Sequence, residues 1–227
     1  FRLRAIARES DGDLGGALED YAAYRDETSS SGPHVDVRIA SLWRLLGKAE
    51  LAEAAFSRAL TSAAEIGSST AWVGLCMACA NEEQFGWTER ATEPALAAHP
   101  GDTNLMRIRA GGLLSAGNHT EALRWVDQAL RLEPESVKLR CMRGDILFAK
   151  GSPKEALVEA RLARAMVPTD GPAATLEARC LFADGKQMEA IALLREVVKR
   201  HPYDHEACSR LGQLLLEAGQ PKDALPV

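Results

Sequence analysis

The chain repeats itself every 34 residues, and that period constrains its fold more than any local motif does. Glycines fall at Gly117, Gly151, Gly185 and Gly219, each 34 residues after the last. Alanines keep the same step at Ala122, Ala156, Ala190 and Ala224, and prolines at Pro100, Pro134, Pro168 and Pro202. A row of small residues runs through Cys76, Ala110, Gly144, Ala178 and Gly212. A row of mostly large apolar residues runs through Cys79, Leu113, Leu147, Leu181 and Leu215. Such a period belongs to a supersecondary unit that cannot bury its apolar face alone and must stack on the next copy. The 227 residues therefore count as about 6.7 units, not as one or two compact cores.

Each unit reads as two helices. Between Pro168 and Pro202, Ala173 to Ala183 is one apolar-periodic run, broken by Asp184-Gly185-Lys186. A second run, Gln187 to Arg200, carries Ala190, Leu194 and Val197 on one face at three- and four-residue spacing. Glycine just past a helix end suits a left-handed closing residue, and the proline stops the second helix. Small residues at Ala178 and Ala190 let the pair approach closely, while Leu181 and Leu194 fill the gap. The fold class is all-α.

These features together resemble the tetratricopeptide repeat family: the period, the small-then-large pair in the first helix, the turn glycine, the second-helix alanine and the closing proline. The resemblance implies a right-handed superhelical α-solenoid of stacked helix-turn-helix hairpins, forming a single array over 1–227. Units at 103–136, 137–170 and 171–204 are nearly regular, and 205–227 is cut inside its second helix. The unit 33–66 keeps Ala40, Trp43, Gly47, Phe56 and Ala59 but lacks the closing proline. The unit 69–102 keeps Trp72, Ala95 and Pro100 but has Glu83 for the turn glycine and Thr88 for the alanine. Residues 1–31 read as the latter part of another unit, through Gly12, Ala17, Tyr21 and Tyr24, with Ser29-Ser30-Ser31-Gly32 as an inter-repeat loop. Pentatricopeptide arrays, which run at 35 and bind single-stranded RNA, fit neither the dominant step nor the negative net charge.

Composition excludes several classes. A net charge of −5 argues against nucleic acid, which is bound by basic stripes. The longest apolar stretch, Ala71 to Ala80, is too short for a membrane span. Five scattered cysteines, Cys76, Cys79, Cys141, Cys180 and Cys208, argue against a disulfide framework and for the cytoplasm. The ends, Phe1-Arg2-Leu3-Arg4 and Leu225-Pro226-Val227, read as cut, so a fragment of a longer protein is expected.

No catalytic residue emerges. Nucleophile elbow, phosphate loop and dinucleotide fingerprint are all missing from the sequence. Cys76-x-x-Cys79 lacks a second pair and sits on the small and large rows, where thiols act as small hydrophobes. In His201-Pro202-Tyr203-Asp204-His205 the proline keeps the imidazoles off one helix face, and Asp11-Gly12-Asp13 reads as a turn. Gly111-Gly112 lies inside a helix, and Thr120 is read as the cap of the helix that follows Asn118. No cofactor and no metal are expected.

The resemblance implies that first helices line a concave groove for peptides or partner helices. By spacing, the exposed face carries His34, Val37, Ser41 and Arg44, then Thr70, Val73, Met77 and Asn81, then Asn104, Arg107, Gly111 and Leu114. Further on it carries Lys138, Cys141, Asp145 and Phe148, then Pro172, Thr175, Arg179 and Phe182, then Glu206, Ser209 and Gln213. The family's lysine–asparagine clamp for chaperone termini is absent, because Val37, Ser41, Val73 and Met77 stand at the corresponding faces. Arg107, Lys138 and Arg179, with Asn104 as an amide and Phe148 and Phe182 as apolar contacts, suggest a site for an acidic or carboxylate-bearing peptide. Asp145 and its neighbours would neutralise the same cations on an ordinary solvated face. The apolar final unit, with Leu211, Leu214, Leu215 and Leu225, implies self-association or further repeats beyond it. The expected function is a non-enzymatic scaffold that binds a protein or peptide. The alternatives are a regulatory or substrate-binding arm of a larger enzyme, such as a glycosyltransferase, and a cell-envelope assembly or secretion factor.

Overall fold

A computed structural model describes residues 1–27, 32–82 and 85–219, and among these it contains thirteen helices and no strand. The Ser29–Ser31 stretch, Glu83, Ala224 and Leu225 lie outside the described residues. The chain divides into two compact units, Phe1–Ala116 and Gly117–Val227. The first holds α1 (Arg2–Ser10), α2 (Leu14–Glu27), α3 (His34–Leu45), α4 (Ala49–Ile66), α5 (Ser69–Asn81), α6 (Phe85–Ala98) and α7 (Thr103–Ser115). The second holds α8 (His119–Leu132), α9 (Val137–Ala149), α10 (Pro153–Met166), α11 (Gly171–Ala183), α12 (Gln187–Arg200) and α13 (His205–Glu217). Within each unit consecutive helices pack together, and odd-numbered helices also pack on one another, α3 on α5 on α7 and α9 on α11 on α13. The odd-numbered helices thus form a continuous layer in each unit, with the even-numbered helices outside it.

The repeat rows set the helix ends. Each proline stands two residues beyond a helix, and the residue before it is pushed out of the α region by the ring. Glu133, Val167 and His201 accordingly take φ of −128°, −134° and −128° with ψ of 74°, 91° and 73°. The proline missing from 33–66 is replaced by Gly67, where α4 closes in the left-handed conformation at φ +66°. Gly151, at φ +90°, does the same for the turn before α10. Helix starts follow a row that the sequence reading passed over. Asp102, Asp170 and Asp204 cap α7, α11 and α13, accepting backbone N–H bonds of 2.8 to 3.0 Å. At α8 the cap is Asn118, which accepts from the Glu121 N–H at 3.4 Å, and not Thr120, which lies within the first turn.

The core is built from the same rows. Ala122, Ala156 and Ala190 are fully buried, as are Cys76, Ala110 and Ala178, while Leu113, Leu147, Leu181 and Leu215 are buried beside them. At Gly144 the approach is close: a Cβ there would lie 2.5 Å from Leu176 Cδ2 and 3.4 Å from the Ala156 carbonyl oxygen. The divergent unit 69–102 compensates for its lost alanine. Thr88 occupies that position, buried, and Gly112 on α7 leaves room for it, since a Cβ at Gly112 would meet Thr88 Cγ2 at 3.3 Å. Phe56 and Trp87 stack nearby, with ring centroids 5.0 Å apart.

Buried carboxylates pin the helices to one another. Glu159 on α10 takes Arg143 at 2.7 Å and Arg140 at 3.4 Å, both from α9. Glu177 on α11 takes Arg161 at 3.1 Å and Arg164 at 2.5 Å, both from α10. In the first unit Asp20 is held by Arg4 and by Arg8 at 3.3 Å. The hydrogen bond from Arg4 keeps the Asp20 carboxyl below the usual carboxylate range, against the burial that would raise it.

Gly144→Ala and Gly212→Ala should differ in sign although both sit on the small row. The first must displace Leu176, at about 1–3 kcal/mol for overpacking, partly offset by about 1 kcal/mol of helix propensity. The second meets nothing within 4 Å and should stabilise by about 1 kcal/mol; urea unfolding of each variant checks both signs. Because the folded pKa of Asp20 is depressed below 3.8, its stabilisation is present above that value and lost as pH falls through the folded value. Asp20→Asn should therefore lower stability at pH 7 and flatten the acid limb below about pH 4 in unfolding curves measured against pH.

Candidate functional site

The site assembles on the odd-numbered layer of the second unit. Asp145 on α9 and Arg179 on α11 occupy equivalent positions of successive repeats, and the stack brings them into a 2.6 Å ion pair. The Arg179 guanidinium also lies over the Phe148 ring, 4.6 Å from its centroid, a cation–π contact that holds the long side chain in place. Arg179 keeps 24% of its side-chain surface exposed and Asp145 39%, so the pair is accessible at the layer's face. Desolvation raises the Asp145 carboxyl above its ordinary range, and Glu206 on α13 pushes the same way, while Arg179 opposes both.

The other sequence-predicted residues separate around this cluster. Phe182, one helical turn beyond Arg179, is half-buried and rests against the core that contains Leu181, Leu194 and Leu215. Lys138 is exposed in the first turn of α9, about 10 Å along the axis from Asp145. Asn104 and Arg107 lie on α7 of the first unit, the former exposed and the latter half-buried. Asp145, Phe148 and Arg179 are therefore brought into contact, and Arg179 is a paired cation, not a free one. Several positions read as groove wall are instead sealed between helices. Val37, Ser41, Cys141 and Thr175 are buried, because neighbouring odd-numbered helices close over that side of the face. One residue of the face was passed over. Leu216 continues the 34-residue step from Phe148 and Phe182 and is 59% exposed on α13; extending that row by one more unit finds it.

The remaining motifs resolve into packing and turns. Cys76 and Cys79 are fully buried on α5, and burial pushes both thiols up to about 12. Cys141 is likewise at about 12 and Cys180 at about 11, with burial the leading cause in each. His201 closes α12 and His205 opens α13, both exposed. Asp13 accepts the Gly16 N–H at 2.9 Å as a local turn. Among the described residues no group of three or more His, Cys, Asp or Glu could hold a metal, and no helix is long and apolar enough to cross a membrane. A separate cavity of about 670 Å³ in the first unit is lined by Leu18, Ile39, Trp43 and Leu46, with Arg25 and Arg58 both tied to Asp36 at 3.4 and 3.3 Å.

The thiol burial is directly measurable. Only Cys208, which is partly exposed, should react with a disulfide reagent in the native protein at pH 8, the other four reacting on the timescale of unfolding. Rapid native labelling of Cys76 or Cys79 would contradict this packing.

Comparison with known proteins gives a consistent picture. Two tetratricopeptide repeat family profiles match, one over residues 109–170 and one over 181–227. No curated protein matches the chain. Among solved structures, a tetratricopeptide repeat protein from Parabacteroides merdae is similar with a TM-score of 0.68 at 16% identity, over 97% of this chain and 86% of that one. A thermophilic protein of the same repeat type from Thermus thermophilus is similar with a TM-score of 0.63 at 18% identity, over 82% of this chain and 100% of that one. YrrB, described as a repeat protein with an unusual peptide-binding site, is similar with a TM-score of 0.53 at 19% identity, over 84% and 95%.

Proposed function

Because the chain belongs to the tetratricopeptide repeat family of helical protein-interaction scaffolds, we propose that the odd-numbered layer binds a peptide or partner protein through Lys138, Asp145, Phe148, Arg179 and Phe182. The observation that carries this reading is the Arg179–Asp145–Phe148 cluster at an accessible face. Ion pair and aromatic ring together fix the guanidinium before any partner arrives, which removes part of the ordering cost of binding. Only one guanidinium nitrogen is committed to Asp145, so donors remain for an incoming carboxylate. Lys138, exposed on α9 of the same unit, extends the preference toward acidic partners.

The reading is tested with an array of acidic peptides against neutral isosteres, scored by fluorescence anisotropy. Lys138→Glu should weaken the acidic peptides at least tenfold, about 1.4 kcal/mol, and leave the neutral ones unchanged. Affinity should also fall with added salt. Acidic peptides that bind the reversed variant as well as the parent would overturn the charge preference.

A further inference from the structure

The first unit holds a cavity of about 670 Å³ where α2, α3 and α4 meet. Its apolar walls are Leu18 and Ala22 of α2 with Ile39, Trp43 and Leu46 of α3. Leu46 is 41% exposed and Trp43 is half-buried, so the fold leaves apolar surface open there. The repeat explains the opening. Ala22 stands five residues after Ala17, the counterpart of Ala122 and Ala156. Ile39 stands one residue before Ala40, the counterpart of Gly144 and Ala178. In the second unit the same two positions meet across a joint as Asp127 with Arg143, 2.7 Å apart, and as Arg161 with Glu177, 3.1 Å apart. Ion pairs bridge those joints. At the α2–α3 joint alanine and isoleucine replace the pair, and the gap stays open.

We infer that this cavity binds an uncharged, mostly hydrocarbon small molecule of about twenty non-hydrogen atoms. Its 670 Å³ lies inside the range of about 300–1,000 Å³ for small-molecule sites and equals the volume of about 22 waters at about 30 Å³ each. Even a tryptophan side chain from a partner protein would fill only about half of it. The charges at the rim decide the ligand's class. Arg25 pairs with Asp26 at 2.8 Å and Arg58 with Asp36 at 3.3 Å, so each cation already meets a carboxylate. Glu19, the third charged residue at the rim, is exposed to water. A charged ligand would lose hydration there without gaining an unpaired countercharge among the described residues of the wall. An apolar one gains by covering Trp43 and Leu46.

This site lies in the first unit, away from the Arg179 cluster, and its test is independent of that cluster. N-phenylnaphthylamine, a neutral fluorophore of nearly this size, is titrated into the full chain. Anilinonaphthalene sulfonate, the same ring system carrying a charge, is titrated beside it. The neutral probe should saturate one site and bind at least tenfold more tightly than the sulfonate. Farnesol, an uncharged hydrocarbon alcohol, should displace it. Ala22→Leu, which puts a side chain into the cavity, should weaken the neutral probe at least tenfold. Ala22→Arg combined with Ile39→Glu, which installs the second unit's pairing, should do the same, with the helicity of both variants checked by circular dichroism. A neutral probe that does not saturate, or that binds Ala22→Leu as well as the parent, overturns the site. Sulfonate binding as tight as that of the neutral probe overturns the uncharged class. If a leucine-rich helical peptide displaces the probe and farnesol does not, a partner protein fills the cavity and the small-molecule assignment falls.

Discussion

Every other feature of the chain depends on how closely its helices approach at the small-residue rows. Alanine at 122, 156 and 190 leaves no side chain to hold neighbouring helices apart, and each is fully buried. At Gly144 even a methyl group would strike Leu176. Dispersion and area burial fall off steeply with separation, so this approach lets hairpins with little aromatic mass make a core. It also decides which side chains face outward. Once α9, α11 and α13 are in contact, positions on their mutual sides are sealed and only the strip between them is left for a ligand.

The buried carboxylates follow from the same geometry. Glu159 and Glu177 sit where one helix crosses the next, too enclosed for water to solvate a charge fully, and each is met by two arginines from the adjoining helix. Removing one partner of such a group leaves an uncompensated charge, a larger loss than the pair's net contribution. The clamps therefore specify which helix faces which more than they add stability, while the alanine and leucine rows supply the burial.

Most of the fold was legible from period alone, because the rows that repeat are the rows that pack. The helices read at Ala173–Ala183 and Gln187–Arg200 match α11, which starts two residues earlier, and α12. The groove was legible less well, and for a physical reason. Period places residues on a helix face but does not say how far the next helix overlaps that face, so Val37, Ser41, Cys141 and Thr175 passed for exposed wall. The carboxylate clamps escaped notice because their partners lie on different helices 13 to 19 residues apart, a pairing that only tertiary contact establishes. Arg179 is a different case. Its partner Asp145 is one period earlier in the same register, so the repeat itself displays the pairing, and Asp145 is already the sequence's candidate for neutralising that cation.

The positions that do not repeat are where the two units part. In the first, Arg38 on α3 joins Glu9 at the end of α1 to Glu82 at the end of α5. In the second, the register that carries Arg44 and Leu114 in the first is filled by Phe148, Phe182 and Leu216. Packing tolerates both solutions because those side chains lie beyond the close-contact rows. The exchange of Thr88 and Gly112 shows the opposite constraint, since a change inside a close-contact row survives only with a compensating change across the joint. A ligand preference can therefore vary along such a chain without disturbing its stack, provided the varying residues stay off the rows that bring the helices together. The register of Phe148, Phe182 and Leu216 meets that condition at Leu216 outright and at Phe148 and Phe182 in part, where each ring shares its surface between the core and the face.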